Sequence, residues 1–469
     1  MAKERKNNTL VFTDYSVPKA VGTLAIPSML GMLINVIYNL ADTFFVGQTG
    51  DKNQVAAVSV AMPVFLFCLA LGNLFGEGGC AFISRSLGEV KSENIKSISS
   101  FCIYTGIAAS VVLSLLFIAF RRPMLYLTCA SDYTIDFACD YLLWVSLGAP
   151  FVVTSIVVCN LVRGEGAAKD SMIGMVIGQI VNIILDPIFI LSSGDNMFGI
   201  SLPVGFGLGV KGAAIATVLG NVVSVGYFLI YFMRGKSILS ITPKRYSLGD
   251  GIPKGVINVG FPAALNNLLM SLSNIVVNIF LAKYGDNAVA AMGVAMKANL
   301  LVVMLQIGLA QGIQPLIGYC FGSRNFDRMK KSIRFGMMCN VLIGASVTVF
   351  YLVCRRQVIG VFIDDEAVIE YGVKMITALM APGTFLGIMF IINFAFQGMG
   401  KGAQSLVLAA GRQGLIFLPM MFIMNKVAGL EGIIWAQPVA DAFCIVLAAV
   451  MFRATTKKLE KEAKLKTMD

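Results

Sequence analysis

The chain contains no histidine. That absence removes Ser–His nucleophile pairs, HExxH zinc sites and imidazole proton relays from consideration. Charge is scarce too: Asp, Glu, Lys and Arg make up only 13% of the residues. The ten cysteines stand singly, mostly inside apolar segments, and none forms a CxxC pair. Isolated thiols of that kind pack as small hydrophobes, so neither a disulfide framework nor a metal cluster is expected. What fills the chain instead is apolar. Hydrophobic residues are 57% of the total and the mean hydropathy is +0.79. A water-soluble chain of 469 residues needs more charge than this to cover its surface. The bilayer must be part of the solvent.

A membrane-spanning helix needs about 20 apolar residues. Segments of that kind fall near 19–45, 54–82, 97–120, 136–162, 170–193, 208–233, 255–283, 288–319, 333–354, 371–396, 403–425 and 432–452. The first is too long for the apolar part of a signal peptide and lacks a small-residue cleavage site, so it reads as a retained span. Six of these segments reappear in order in the second half. Leu24-Ala25-Ile26-Pro27 is echoed by Val259-Gly260-Phe261-Pro262, Asn39 by Asn274, Phe45 by Phe280, and Gly50-Asp51 by Gly285-Asp286. Farther on, Ala149-Pro150 matches Ala381-Pro382, Pro187 matches Pro419, and Lys211-Gly212 matches Glu431-Gly432. Because six is even, each half enters and leaves on one side, and the repeats are parallel. The fold class expected is an all-α polytopic membrane protein of twelve helices in two six-helix repeats. The division expected is a cytoplasmic segment 1–18, a first lobe 19–234, a cytoplasmic linker 235–254, a second lobe 255–452 and a basic cytoplasmic tail 453–469.

The net charge of +11 suits an anionic partner, nucleic acid or membrane surface. Its placement favours the membrane: Arg324, Arg328, Lys330, Lys331 and Arg334 crowd one loop, and Lys457, Lys458, Lys461, Lys464 and Lys466 a tail. Lys and Arg on one side of the spans put both termini in the cytoplasm. No nucleic acid is expected. Gly207-Leu208-Gly209-Val210-Lys211-Gly212 spells GxGxxG, but no strand precedes it, so it is no nucleotide site. Gly76, Gly78 and Gly79 read as close helix packing.

The informative residues are ionisable groups at membrane depth, which are costly there and so face protein or water. On the first span this is Asp42; on the fifth, Asp186, with Asn182 one turn before it on the same face. Ala213 and Thr217 share the same spacing on the sixth. If these three helices meet, two carboxylates, an amide and a hydroxyl converge. Such oxygens suit a hard cation such as Na+. Equally, two close buried carboxylates cannot both stay charged at low cost, so one would carry H+. In the second half the matching positions are Val277, Leu418, Gly414 and Gln437, so ion chemistry is expected in the first half alone. There, Lys297, Arg412 and Asp441 lie at depth instead, with Arg412 and Asp441 a candidate structural ion pair. Gln311 and Gln314 are neutral cavity candidates, and Glu77 sits where it could reach water. Pro27, inside the helix that carries Asp42, is the candidate hinge.

Together these residues resemble the multidrug and toxic compound extrusion (MATE) family, in its bacterial multidrug group. The resemblance covers roughly 15–455. It rests on Ile26-Pro27 with Asn39-Leu40-Ala41-Asp42, Gly78-Gly79-Cys80-Ala81 and the residues after it, Asn160-Leu161-Val162-Arg163-Gly164-Glu165-Gly166, Asn182 to Pro187, and Gln311-Gly312-Ile313-Gln314-Pro315. It implies two lobes in a V that open alternately to either side, and export of organic cations in exchange for Na+ or H+, with no cofactor. It implies a cation network of Asp42, Asn160, Asn182, Asp186 and Thr217 near Ala213. No enzyme is expected. The partners expected are drug-like small molecules and the bilayer, with the chain working as a monomer in the bacterial cytoplasmic membrane. The alternative is a lipid-linked precursor flippase of related architecture, which would need basic residues facing the cavity for phosphate.

Overall fold

A computed structural model describes residues 9–89, 92–128, 133–193, 196–197, 200–201, 205–235, 237–360 and 365–465. The basic start, Lys236 and Lys466 lie outside the described residues. The first six spans are α1 (Val17–Gly47), α2 (Lys52–Gly88), α3 (Ser92–Ala119), α4 (Ile135–Gly164), α5 (Ala168–Ile190) and α6 (Val210–Met233). Then follow α7 (Ile252–Leu281), α8 (Asp286–Gly322) and α9 (Phe326–Val353). The next span, α10, comes in two pieces, Glu366–Met380 and Gly383–Gly398, bent by 46° where they meet. A helix Gly402–Ala410 leads through a π turn, Gly411–Leu415, into Phe417–Leu465, which breaks at Gly429. The part before Gly429 is α11 and the part after it α12. The chain is thus a multi-span membrane protein: its described residues form ten helices long and apolar enough to span, eleven with the bent α10, and twelve segments once the last helix is divided at Gly429. The only strands among the described residues form a small hairpin, Asn196–Met197 with Ile200–Ser201.

Several helices outrun their apolar windows. Helix α2 continues to Gly88, and α12 continues through the basic tail to Leu465, where Glu460 accepts from Lys330 on α9. The break in α10 falls at Ala381-Pro382, whereas α4 passes through the matching Ala149-Pro150 unbroken. Pro382 is followed by Gly383, whose carbonyl accepts from the Gln306 side chain at 2.7 Å. That side-chain donor satisfies a backbone group at the bend. Pro27 lies inside an uninterrupted α1.

The duplication shows in backbone angles. Gly209, just before α6, has φ 56° and ψ −134°; Gly429, just before α12, has φ 57° and ψ −129°. Only glycine adopts that region without strain, so both repeats turn their last helix in with the same device.

Each repeat lends the start of its first helix to the other. Val21, Leu24 and Ala25 of α1 are buried in an apolar core with Ala310, Ile313 and Ile317 of α8. In turn Ile252 and Val256 of α7 belong to the core built by α2–α6. The repeats therefore meet at the end of the molecule where the linker lies. The linker is fastened to the first repeat. Ser99 and Ser100 of α3 donate to the Ser240 carbonyl at 3.0 and 3.1 Å, and Tyr104 donates to the Ile241 carbonyl at 2.5 Å. Glu165, just past α4, accepts from Tyr231 (2.7 Å), Ser237 (2.8 Å) and the Ile238 amide (2.9 Å). Burial pushes the Glu165 carboxyl up to about 7 from 4.5, against the pull of those donors.

Two predictions follow from these contacts. A β-carbon at Gly429 meets nothing closer than the Tyr284 hydroxyl at 3.4 Å, so Gly429→Ala costs backbone strain alone, about 1–3 kcal/mol, read as a lower melting temperature. A raised carboxyl favours the folded state most below the unfolded value and loses that advantage as pH rises through the folded one. The wild type should therefore melt lower at pH 8 than at pH 6, and Glu165→Gln should flatten that difference.

Candidate functional site: a polar cavity in the first repeat

Lined mostly by the first repeat, with Asn267 and Gln311 of the second in its wall, lies a cavity of about 290 Å³. Its polar wall follows from helical spacing. On α1, Asn35, Tyr38, Asn39 and Asp42 recur every three or four residues and so share one face. Gln179, Asn182 and Asp186 do the same on α5, and Ala213, Thr217 and Asn221 on α6. In a bilayer such stripes must turn inward. Helix α1 packs on α5, α5 on α6, and α6 on α4; α1 and α6 barely touch.

The centre is Asn182, buried between its neighbours. Its amide lies 3.3 Å from the Thr217 hydroxyl. In the orientation that satisfies both ends, the nitrogen donates to Asp186 Oδ2 at 3.1 Å and the oxygen accepts from the Thr217 backbone amide at 2.8 Å. Ala213, one turn before Thr217, is 1% exposed. Asp186 is fully buried behind Asn182, within electrostatic reach of Asp42. Tyr38 meets the Thr217 hydroxyl and, with Tyr141, lies close to both carboxylates.

One oxygen of each carboxylate, Asp42 Oδ1 and Asp186 Oδ1, is buried without a hydrogen-bond donor, as is Gln179 Oε1. Among the described residues neither aspartate forms an ion pair. Orphaned buried acceptors of this kind call for a proton, a cation or water. Two carboxylates, amide oxygens and a hydroxyl form a donor set for a hard monovalent cation. Among the described residues no three acidic or thiol groups gather as a multivalent metal site would require.

The other expected residues fall in three places. Asn160 lines the cavity floor, its amide donating to the Ile156 carbonyl at 2.9 Å. Beside it is Arg163, which donates to Asn160 and, at 3.2 Å, to Glu77. Glu77 is 4% exposed and so does not reach water as its place near the helix end suggested. Gln311 reaches this floor from α8 and donates to Glu77, but Gln314 is shut away from the cavity, donating to Gln397 at 3.1 Å. Lys297 is exposed on α8. In the second repeat, Asp441 accepts from Arg412 and from Gln437, both at 2.9 Å, and the guanidinium lies over the Phe390 ring. The π turn Gly411–Leu415 carries that arginine.

Tyr38, Tyr141, Gln179 and Arg163 were not singled out from the sequence. Tyr38 and Gln179 carry a usable signal, standing four residues before Asp42 and three before Asn182. Tyr141 carries none, because an aromatic in an apolar span resembles any packing residue.

The MatE family model matches residues 27–188 and again 262–423, one copy for each repeat. The chain belongs to the MATE family. Multidrug export protein MepA of Staphylococcus saprophyticus is 34% identical over 440 residues, 94% of each chain. MepA of Staphylococcus aureus is 33% identical over 454 residues, 95% of this chain and 96% of its own. Among solved structures, a MATE protein in the straight conformation superposes with a TM-score of 0.89 at 25% identity, covering 97% of this chain and 99% of that one. A MATE protein in the bent conformation gives 0.87 at 25% identity, with 98% and 99% covered. The two model matches begin at Pro27 and Pro262, the same pair that aligned the repeats in this MATE chain.

Asn182 joins both acceptors and donors of this centre. Replacing it by leucine leaves Asp186 and the Thr217 amide without their shared partner in a dry site. Asn182→Leu should destabilise the protein by about 1–3 kcal/mol, checked by thermal melting in detergent.

Proposed function

We propose that this protein exports amphipathic, often cationic drug-like molecules across the bacterial cytoplasmic membrane in exchange for Na+ or H+. The observation that carries the reading is the pair of buried aspartates, Asp42 in the wall of the polar cavity and Asp186 behind Asn182, each with one oxygen lacking a hydrogen-bond partner. Asn182, Thr217, Ala213 and Asn160 complete the coupling site. A cation bound there offsets one of the two negative charges and favours one packing of α1 against α5; its release favours the other. One charge moving across 100 mV supplies about 2.3 kcal/mol, to which the concentration gradient adds. The MepA relatives, named as multidrug export proteins, support drug-like cargo.

In this reading 19–234 and 255–452 move as two lobes about the linker 235–254, with both termini in the cytoplasm and the monomer as the working unit. Pro27 is a bend point in α1. Arg412 and Asp441 are structural. The flippase alternative needs several basic residues free for phosphate, yet Arg412 is paired with Asp441 and Lys374 with Glu431 at 3.6 Å, which leaves the exposed Lys297 of the three.

The test is dye or drug efflux from liposomes under a pure Na+ gradient and then a pure pH gradient. Asp42→Asn and Asp186→Asn should each lose gradient-driven efflux while melting as a folded protein. Efflux at the wild-type rate in both variants would refute the antiport reading.

A further inference from the structure

At the floor of the cavity a hydrogen-bonded chain passes from one repeat to the other. It starts at Asn160, which accepts from Arg163; Arg163 on α4 donates to Glu77 on α2; and the same Glu77 oxygen accepts from Gln311 on α8. Glu77, Arg163 and Gln311 are 4%, 5% and 7% exposed. One turn farther along both helices a weaker contact repeats the crossing: the Cys80 thiol points at Gln314 Oε1 over 3.9 Å, and Gln314 holds Gln397.

Around this chain the repeats lie backbone to backbone. A β-carbon at Gly260 would fall 1.8 Å from the Leu74 carbonyl oxygen, at Gly78 2.2 Å from that of Val256, and at Gly322 2.1 Å from that of Arg85. Side chains larger than hydrogen do not fit there, so the seam side of the ion pair is closed by backbone. A buried ion pair is stable only if its remaining hydrogen-bonding atoms find partners. Gln311 supplies one from the opposite repeat. Three atoms stay without partners: Glu77 Oε2, Arg163 Nε and Gln311 Oε1. Their desolvation offsets part of the gain, so the contact holds without being permanent. When the repeats part at this end, water replaces Gln311. Glu77 and Arg163 neutralise each other, so the chain itself needs no cation.

We propose that Glu77, Arg163 and Gln311 form a latch that holds the linker end of the molecule shut, with Asn160 tying it to the cavity above. The latch stands on these contacts alone; the role given to Asn160 rests on the antiport reading. These are positioning residues: they act by setting the orientation of the two repeats.

The test is amide hydrogen exchange of the full-length protein in lipid nanodiscs, comparing the seam segments 252–262 and 312–322 with 366–380 of α10, which packs on helices of the second repeat and not on α2, α4 or the linker. Gln311→Leu keeps most of the volume and removes the donor. Seam exchange should rise about tenfold, the worth of one hydrogen bond to a charged group, with 366–380 unchanged. The exchanged pair Glu77→Gln with Gln311→Glu restores a carboxylate–amide contact beside Arg163 and should slow the seam again. Unchanged seam exchange in Gln311→Leu overturns the latch. So does an equal rise in the seam and 366–380, which marks general loosening, and so does a swapped pair no slower than Gln311→Leu. Efflux from wild-type liposomes is measured in parallel. Fast seam exchange in Gln311→Leu with no gradient-driven wild-type efflux upholds the latch and removes the antiport reading. Normal efflux with an unmoved seam removes the latch alone.

Discussion

A carboxylate inside a bilayer has to be surrounded by protein, by water or by a positive charge, because lipid offers nothing in exchange for its hydration. Much of the first repeat follows from that requirement. Asp42 and Asp186 force α1 and α5 to present one polar face each toward a common interior. Asn182 then becomes the bridge, since an amide can donate to a carboxylate and accept from a backbone amide at once. The apolar remainder of the same helices is free to face lipid or neighbouring helices. The second repeat has the same helices and the same glycine turn before its last span, but solves its charge differently. Its buried aspartate, Asp441, carries a guanidinium within the protein, so it has no need of an ion from outside.

The asymmetry of charge sits on a symmetry of packing. Helices α1 and α7 each begin in the core of the opposite repeat, so neither repeat ends cleanly at a boundary in sequence. A change in how α1 packs against α5 is therefore felt in the core around α8. Near the same end the chain from Asn160 to Gln311 runs through Glu77. Apolar interdigitation and a polar crossing meet in one seam, while the linker is strapped to the first repeat by α3 and Glu165.

Much of this was legible in the sequence because it is local or repeated. The spacing of Asn182 to Asp186 and of Ala213 to Thr217 marks faces of helices. The recurrence of Pro27 at Pro262 and of Lys211-Gly212 at Glu431-Gly432 marks the duplication. What was not legible depends on partners far apart in the chain. Glu77 and Arg163 are 86 positions apart and Glu77 and Gln311 are 234 apart; composition does not say that they meet. The break in α10 was hidden because Pro150 and Pro382 look alike, and only the glycine after Pro382 and the Gln306 side chain beside it tell them apart. That the lysine tail forms an amphipathic helix could be read from the sequence, but its continuity with α12 as far as Leu465 could not, because the apolar window ends where the lysines begin although the helix does not.

The account turns on whether the aspartates of α1 and α5 bind a monovalent cation. Equilibrium binding of radioactive Na+ to the purified protein, together with proton uptake across a downward pH step in Na+-free buffer, measures this without any transport step. The account predicts saturable cation binding, as Na+ or as protons taken up, that disappears in the Asp42→Asn, Asp186→Asn double variant. Binding that survives unchanged in the double variant would place the cation elsewhere and contradict the account.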